Sequence, residues 1–335
     1  MRKIGLFILA AIAVSMWSCG REDIPAADSS RQIAFSMLST DTKADTYTYL
    51  PSGSSFTVAA RKSAGSTWSS SSAVNVFKTT SGLQNVQTTN ATGSCTYSPA
   101  AYWSGNSVFR FRAVYPIAPD QVSYTDDLDG NAVISNFTVN ASASSQKDLM
   151  LSDMVERTLT SIGDPAPVDI VFRHMLCKVT FKINEDTSAS APNAGLDEFT
   201  ITGVKLNGLP DRGTYTGTST SGTWNTSGAL GLTCINNTNY NIDNDGAYTT
   251  VFDGLLLIPM TITNQVNMVL DYKVSHNGGE ATTKSAVISI PAITWEAGKV
   301  YTYQLSMSEE YYIRFGNITV DTWGSTQSNG SVIIK

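Results

Sequence analysis

Histidine is almost missing from this 335-residue chain: His174 and His276 are the only two. The commonest proton carrier near neutral pH is therefore scarce. His174 lies in a mostly apolar stretch, where a satisfied core or junction histidine is expected. His276 precedes Asn277-Gly278-Gly279, a hairpin turn signal. No Gly-rich phosphate loop, nucleophile elbow or zinc-ligand spacing is present, and no acid, base and nucleophile stand together. The chain reads as a non-enzyme without a cofactor. Charge is scarce too. Asp, Glu, Lys and Arg make up 15% of the residues, 22 basic against 28 acidic, for a formal net charge of -6. With no Lys/Arg cluster, this balance disfavours nucleic acid as a partner. Long amphipathic helical stretches are also absent.

Cysteine is sparse, four in all. Beyond Cys19 there are Cys95, Cys177 and Cys234, and an odd count cannot pair fully within one chain. That leaves one disulfide with one thiol over, or three buried thiols acting as small hydrophobes. A chain of this size has core enough without staples, which favours the second. Two acidic runs, Asp126-Asp127-Leu128-Asp129-Gly130 and Asp243-Asn244-Asp245-Gly246, hold part of a calcium-loop pattern but lack its closing Glu. Turns account for both.

What is abundant is short apolar clusters rich in Val, Ile, Phe, Tyr and Thr, bounded by Gly, Asn, Ser or Pro. They predict strands at Ile33–Leu38, Ser55–Ala60, Ala73–Lys78, Val108–Tyr115, Ala132–Val139, Val168–Ile183, Glu198–Leu206, Thr249–Ile258, Val266–Val274, Lys284–Ile290, Lys299–Met307, Ile313–Val320 and Ser331–Ile334. The expected class is all-β, built of β-sandwiches. Thr158–Pro167, with two prolines and a glycine, is the candidate boundary between domains spanning 20–160 and 161–335. Gly213–Asn244 reads as hairpin and loop material. In Val168–Ile183, Val179, Phe181 and Ile183 share one parity, whereas Ile170, Phe172 and Leu176 occupy the other. One strand cannot present both sets to one core without a bulge or a change of packing partner near His174–Cys177.

The N-terminus predicts export. Arg2 and Lys3 precede the uncharged apolar stretch Ile4–Trp17, which is too short for a membrane span. Ser18-Cys19 ends it. The segment resembles a lipoprotein signal, residues 1–19, in which Cys19 is acylated, although Met16-Trp17-Ser18 departs from the usual residues before that cysteine. An ordinary signal cut near Ser18 is the alternative. The acidic stretch Gly20-Arg21-Glu22-Asp23 resembles surface-export signals of some Gram-negative lipoproteins.

Six segments in order resemble one family. They are Ala101-Tyr102-Trp103 with Phe109-Arg110-Phe111-Arg112-Ala113-Val114-Tyr115-Pro116; Asp148-Leu149-Met150; Val171-Phe172-Arg173-His174-Met175-Leu176-Cys177-Lys178-Val179-Thr180-Phe181; Leu255-Leu256-Leu257-Ile258-Pro259; Trp295-Glu296-Ala297-Gly298-Lys299-Val300-Tyr301-Thr302-Tyr303; and Ile318-Thr319-Val320-Asp321-Thr322-Trp323. Together they resemble the fimbrillin (Mfa-like) lipoprotein pilins of type V pili. The resemblance implies two transthyretin-like β-sandwich domains in tandem. It implies a pilin that supports adhesion, made as an outer-membrane lipoprotein precursor and ending in a cell-surface fimbrium. Its implied partners are other pilin subunits, the membrane lipid that anchors the precursor, and an Arg/Lys-specific maturation protease. A host or bacterial surface ligand would complete the set.

In that family an N-terminal strand is removed by proteolysis and a neighbour's strand fills the groove. Here the strand would be 33–38, with Ile33, Phe35 and Met37 on one face and Ala34 and Ser36 on the other. The cut would fall between Lys43 and Ala44, in a polar stretch after the strand. Arg31 precedes the strand, so a cut there would leave the groove filled. The donor would be 331–335, with Val332, Ile333 and Ile334 behind the Gly324–Gly330 linker. The alternative is a monomeric surface lipoprotein, or a tip adhesin, that binds a host ligand or glycan. Trp68, Trp103, Trp224, Trp295 and Trp323 could stack on sugar, but core or rim positions are expected for most of them.

Overall fold

The computed structural model describes residues 31–38, 50, 52–90, 93–116, 123–163, 165–187, 197–226, 230–243, 245–308, 313–323 and 328–332. The described residues form strands, turns and two short 3-10 turns, so the all-β expectation holds. The first eleven strands are β1 (Phe35–Leu38), β2 (Ser55–Ala64), β3 (Val74–Asn75), β4 (Leu83–Thr88), β5 (Cys95–Thr96), β6 (Ser107–Tyr115), β7 (Ser123–Thr125), β8 (Ala132–Thr138), β9 (Met150–Ser152), β10 (Val155–Leu159) and β11 (Val168–His174). Nine of them make one sheet, ordered β1-β11-β9-β6-β2-β4-β5, with β10 also on β6 and β3 on β2. β1 runs parallel to β11, Phe35 opposite Val168 and Met37 opposite Ile170. A parallel pair needs a long crossover, and here nearly the whole first half of the chain supplies it.

The remaining strands are β12 (Cys177–Glu185), β13 (Asp197–Leu209), β14 (Arg212–Gly217), β15 (Gly222–Asn225), β16 (Leu232–Asn236), β17 (Tyr240–Ile242), β18 (Thr249–Leu257), β19 (Met260–Thr261), β20 (Asn267–His276), β21 (Thr282–Ser289), β22 (Thr294–Trp295), β23 (Lys299–Met307), β24 (Ile313–Thr322) and β25 (Ser328–Val332). One sheet is ordered β18-β12-β23-β24-β25. Another is β16-β13-β20-β21 with β17 on β13, and β19 pairs with β22. The free edge of β18 is covered by a side chain: the Leu256 N–H donates to Gln146 Oε1 at 2.7 Å. That is one way to blunt an exposed strand edge.

Two cores result. The smaller gathers Ile33, Phe35, Met37, Phe56, Phe111 and Ile170 with their neighbours. The larger is centred on Val179, Phe181, Ile183, Tyr301 and Tyr303 but also takes Tyr124, Ile134 and Leu151 from the first half of the chain. Tyr124 and Ile134 come from a four-stranded sheet, β15-β14-β8-β7, that mixes residues from both sides of position 160, and Leu151 from β9 of the nine-stranded sheet. Thr158–Pro167 joins β10 to β11, and both lie in the nine-stranded sheet. That sheet therefore runs past 160, as far as His174. The crossing to the next sheet lies at Met175-Leu176, between β11 and β12. The opposed parities reflect this: Val168 and Ile170 enter one core, and Val179, Phe181 and Ile183 the other.

Gly213–Asn244 contains four strands. In β14 and β15 the packing surface comes from two aromatics over glycines: Tyr215 lies opposite Trp224, and a Cβ on Gly213 would meet the Trp224 ring at 2.9 Å. A strand that packs through glycine carries little apolar alternation to read.

Candidate functional site

The site begins with the alternation of residues 33–37. Ile33, Phe35 and Met37 are 0%, 3% and 3% exposed, whereas Ala34 is exposed and Ser36 half-buried. Period-two alternation puts all three large side chains on the core face. Around Phe35 stand Tyr97, Phe111 and Phe77, with ring centroids at 5.5, 5.8 and 6.4 Å; the first two meet it edge-on. Such aromatic pairs add about 0.5–1.5 kcal/mol each beyond area burial.

β1 is also hydrogen-bonded along both edges. On one side the Val168 N–H donates to Ala34 O at 2.8 Å. On the other, the Ile33 N–H donates to Ala101 O at 2.9 Å and the Met37 N–H to Gly93 O at 3.0 Å. The Trp103 N–H donates to Arg31 O at 2.9 Å, and isolated bridges join Gln32 to Tyr102 and Ser36 to Ser94. β1 thus closes the nine-stranded sheet by joining β11 to the segment that carries β5. Two side chains reinforce it: the Tyr97 hydroxyl donates to Ile33 O at 2.6 Å, and the Ser36 hydroxyl donates to Asp169. Burial pushes the Tyr97 phenol above its ordinary value. The segment 93–103 lacks the alternation that marks a strand, so its pairing with β1 is not legible; its signals are the aromatics Tyr97, Tyr102 and Trp103.

Cys19, Lys43 and Ala44 lie outside the described residues, as do Ile333 and Ile334. Val332 ends β25, which pairs antiparallel with β24, Val332 opposite Ile318 and Ser328 opposite Asp321. Of the C-terminal run, Ser331 and Val332 thus lie in the last strand of that sheet, with one neighbour among the described residues.

Several charged residues are paired within the fold. The Arg112 guanidinium, 1% exposed, pairs with Asp126 at 3.0 Å and donates to Gly130 O at 2.9 Å. Burial pushes the Asp126 carboxyl above its ordinary value even though Arg112 and the Leu128 N–H favour its charged form. Arg110 bonds Asp129 at 3.2 Å and lies over the Trp68 ring at 4.3 Å. The first acidic run is thus taken up by arginines, and Asp245 caps the Ala247 N–H as in an Asx turn. Among the described residues no group of three or more His, Cys, Asp or Glu could hold a metal ion. Arg173 grips Asp153 with two bonds, at 2.8 and 2.9 Å, and Ser219 donates to the same carboxylate. Partial burial opposes ionisation of Asp153, but these partners outweigh it and hold the carboxyl low.

His174 sits at the crossing between sheets. Its Nδ1 lies 2.7 Å from Asp148, and its ring stacks on Trp323 at 3.8 Å with an interplanar angle of 2°. It is a satisfied junction residue. Trp103, Trp295 and Trp323 are buried in the cores, and the Trp224 indole N–H donates to Met175 O at 3.1 Å. Cys95, Cys177 and Cys234 are free thiols, the last two buried and Cys95 half-buried beside β1. Burial pushes Cys95 and Cys234 up to about 11 and Cys177 higher.

The fold has counterparts among solved structures. A fimbrial protein from Bacteroides vulgatus superposes with a TM-score of 0.64 at 17% identity, covering 87% of this chain and 99% of that one. A candidate cell adhesion protein from Bacteroides uniformis gives 0.52 at 20% identity, with the same coverage. One from Parabacteroides distasonis gives 0.50 at 11%, covering 87% of this chain and 98% of that one. These likenesses concern the fold. No curated protein matches the chain. The model of the family described as fimbrillin-like matches residues 42–323. By that match over most of its length, the chain belongs to the fimbrillin-like family.

Proposed function

We propose that the protein is a structural subunit of a type V cell-surface fimbria. It is exported as a lipoprotein acylated at Cys19, cut between Lys43 and Ala44, and assembled by strand exchange to support adhesion. The observation that carries this reading is β1 itself. With Ile33 and Ala34 just before it, it is hydrogen-bonded on both edges and puts three large side chains in the core. Its loss would bare a groove with two unpaired edges, which an incoming strand can restore by β-augmentation. A contact between unlike surfaces, repeated head to tail, does not close and yields a filament. The family match and the fimbrial and adhesion proteins of similar fold support the same role. Partners in this reading are other pilin subunits, an Arg/Lys-specific protease, the membrane lipid and a surface ligand. No catalytic chemistry is assigned.

One observation favours a second reading, a tip adhesin or monomeric surface lipoprotein. The run that would be donated, 331–335, begins in β25, which is already paired with β24. The test is imaging of cells expressing the wild type, Lys43→Gln, and a deletion of 331–335. The pilin reading expects filaments only from the wild type. Normal filaments from Lys43→Gln would remove the processing step, and normal filaments from the deletion would remove the donor.

A further inference from the structure

The channel that β1 occupies has positions of unequal chemistry. Ile33 and Met37, both buried, take the two outer positions, and the middle position is a cage of three rings, Tyr97, Phe111 and Phe77, set around Phe35. Next to it, Ser36 donates a hydrogen bond to Asp169, a carboxylate on the neighbouring strand. Position 34 faces outward and constrains nothing.

Resting on the reading of β1 as a removable strand, we infer that the channel is selective. It takes a strand with, in order, a large aliphatic residue, a free position, an aromatic residue, a hydrogen-bond donor and a second large side chain. The run Ser331-Val332-Ile333-Ile334-Lys335 does not supply that pattern, so the occupant is a strand from a different subunit rather than this run from a second copy. If Val332 takes the Ile33 position, Ile334 falls into the ring cage. Lys335 then stands beside Asp169, which suits it, but the run offers nothing for the Met37 position. If the run is shifted so that Ile334 takes the Met37 position, Val332 falls into the cage. Apolar Ile333 is then set beside Asp169, and Gly330 is left at the Ile33 position. Neither register brings a ring to a cage that holds its occupant edge-on, and an unfilled apolar slot forfeits both transfer and contact energy. A carboxylate left beside a side chain without a donor loses its bond as well.

The test uses the chain from residue 20 onward, with a specific cleavage sequence inserted within 39–49. After cutting, a fluorescent peptide of residues 31–38 is added, and its entry is followed by anisotropy against unlabelled competitors. The peptide 31–38 should compete best. Its Phe35→Ala version and the peptide 328–335 should each be weaker by roughly a hundredfold or more, the size of a buried Phe→Ala truncation. Ile334→Phe in the second peptide should recover at least about tenfold of that loss. If 328–335 competes within tenfold of 31–38, or Ile334→Phe recovers nothing, the selectivity is wrong while the removable strand stands. If the labelled 31–38 peptide never enters the cut protein, the strand is not exchangeable and both readings fall.

Discussion

β1 and β25 lie near opposite ends of the chain, and each is the first or last strand of its sheet, yet they are held very differently. β1 with the two residues before it, 33–38, has hydrogen-bonded neighbours on both edges and three side chains at or below 3% exposure. Among the described residues β25 has one neighbour, β24, reached through three paired positions with an irregularity between them. The first is a closing element of its core, the second an addition to a sheet that already has four strands. The contrast separates two roles that strand exchange needs. A groove must lose much when its strand leaves, and a donor must leave its resting place at little cost. In the proposed exchange β1 would take the first role, and β25 the second only toward a subunit whose groove differs from this one.

The most forceful way to break the comparison is to remove each strand in turn. A chain beginning at Ala44 should lose about 4.5–9 kcal/mol of unfolding free energy, taking about 1.5–3 kcal/mol for each of Ile33, Phe35 and Met37. Chemical denaturation reads this directly. A loss no greater than that from deleting 328–335 would erase the distinction.

A lesion away from both strands calibrates that figure. Arg112→Met leaves Asp126 buried without its partner and should cost about 3–5 kcal/mol. The pH dependence has a definite sign. The Asp126 carboxyl is raised in the folded protein, so its contribution is fully present below its ordinary, unfolded value and is lost as pH rises through the raised one. Arg112→Met should therefore be weakest near neutral pH and recover part of its stability on mild acidification, as Asp126 takes up a proton. Denaturation midpoints of wild type and variant between pH 4 and 7, roughly the range in which a raised carboxyl titrates, decide it.

Cys95 sharpens the contrast kinetically. Burial beside β1 holds its thiol at about 11 against an ordinary 9.0, so thiolate is scarce at pH 8. Once β1 is removed, alkylation of Cys95 should quicken by up to roughly a hundredfold, the thiolate ratio for that difference. Buried Cys177 and Cys234 should stay slow. Equal labelling of Cys95 with and without β1 would mean that the strand does not cover it. The smallest effect belongs to the other end: deleting 328–335 should change stability by about 2 kcal/mol or less, while filament formation, if these residues donate, is lost altogether.

How far the sequence could be read follows the same physics. Strands with period-two alternation over a single core, such as β13, β18, β20 and β23, were legible within a few residues. The change of packing partner near His174–Cys177 is legible from opposed parities, because both sets of side chains on one pleated strand cannot face one core; the single strand expected over 168–183 is in fact two, β11 and β12. Over Gly213–Asn244 the composition predicts hairpin and loop material; β14 and β15 do pair as a hairpin, and Gly213 packing under Trp224 leaves β14 little apolar rhythm to read. The pairing of β8 with β14, which joins the two halves of the chain, has no local signature. For the candidate site, Ile33, Phe35 and Met37 could be placed on one face from their spacing alone. The ring cage and the Asp169 partner could not, because they come from residues far away in sequence.

The central claim is that β1 is cut away before the protein reaches its working state. The direct measurement is the N-terminus of the protein sheared from the surface of cells that express it, by intact mass and terminal sequencing. A start at Ala44 is the predicted result. A start at acylated Cys19, with residues 33–38 retained, would contradict the account and leave a permanently anchored subunit or a monomeric binding lipoprotein.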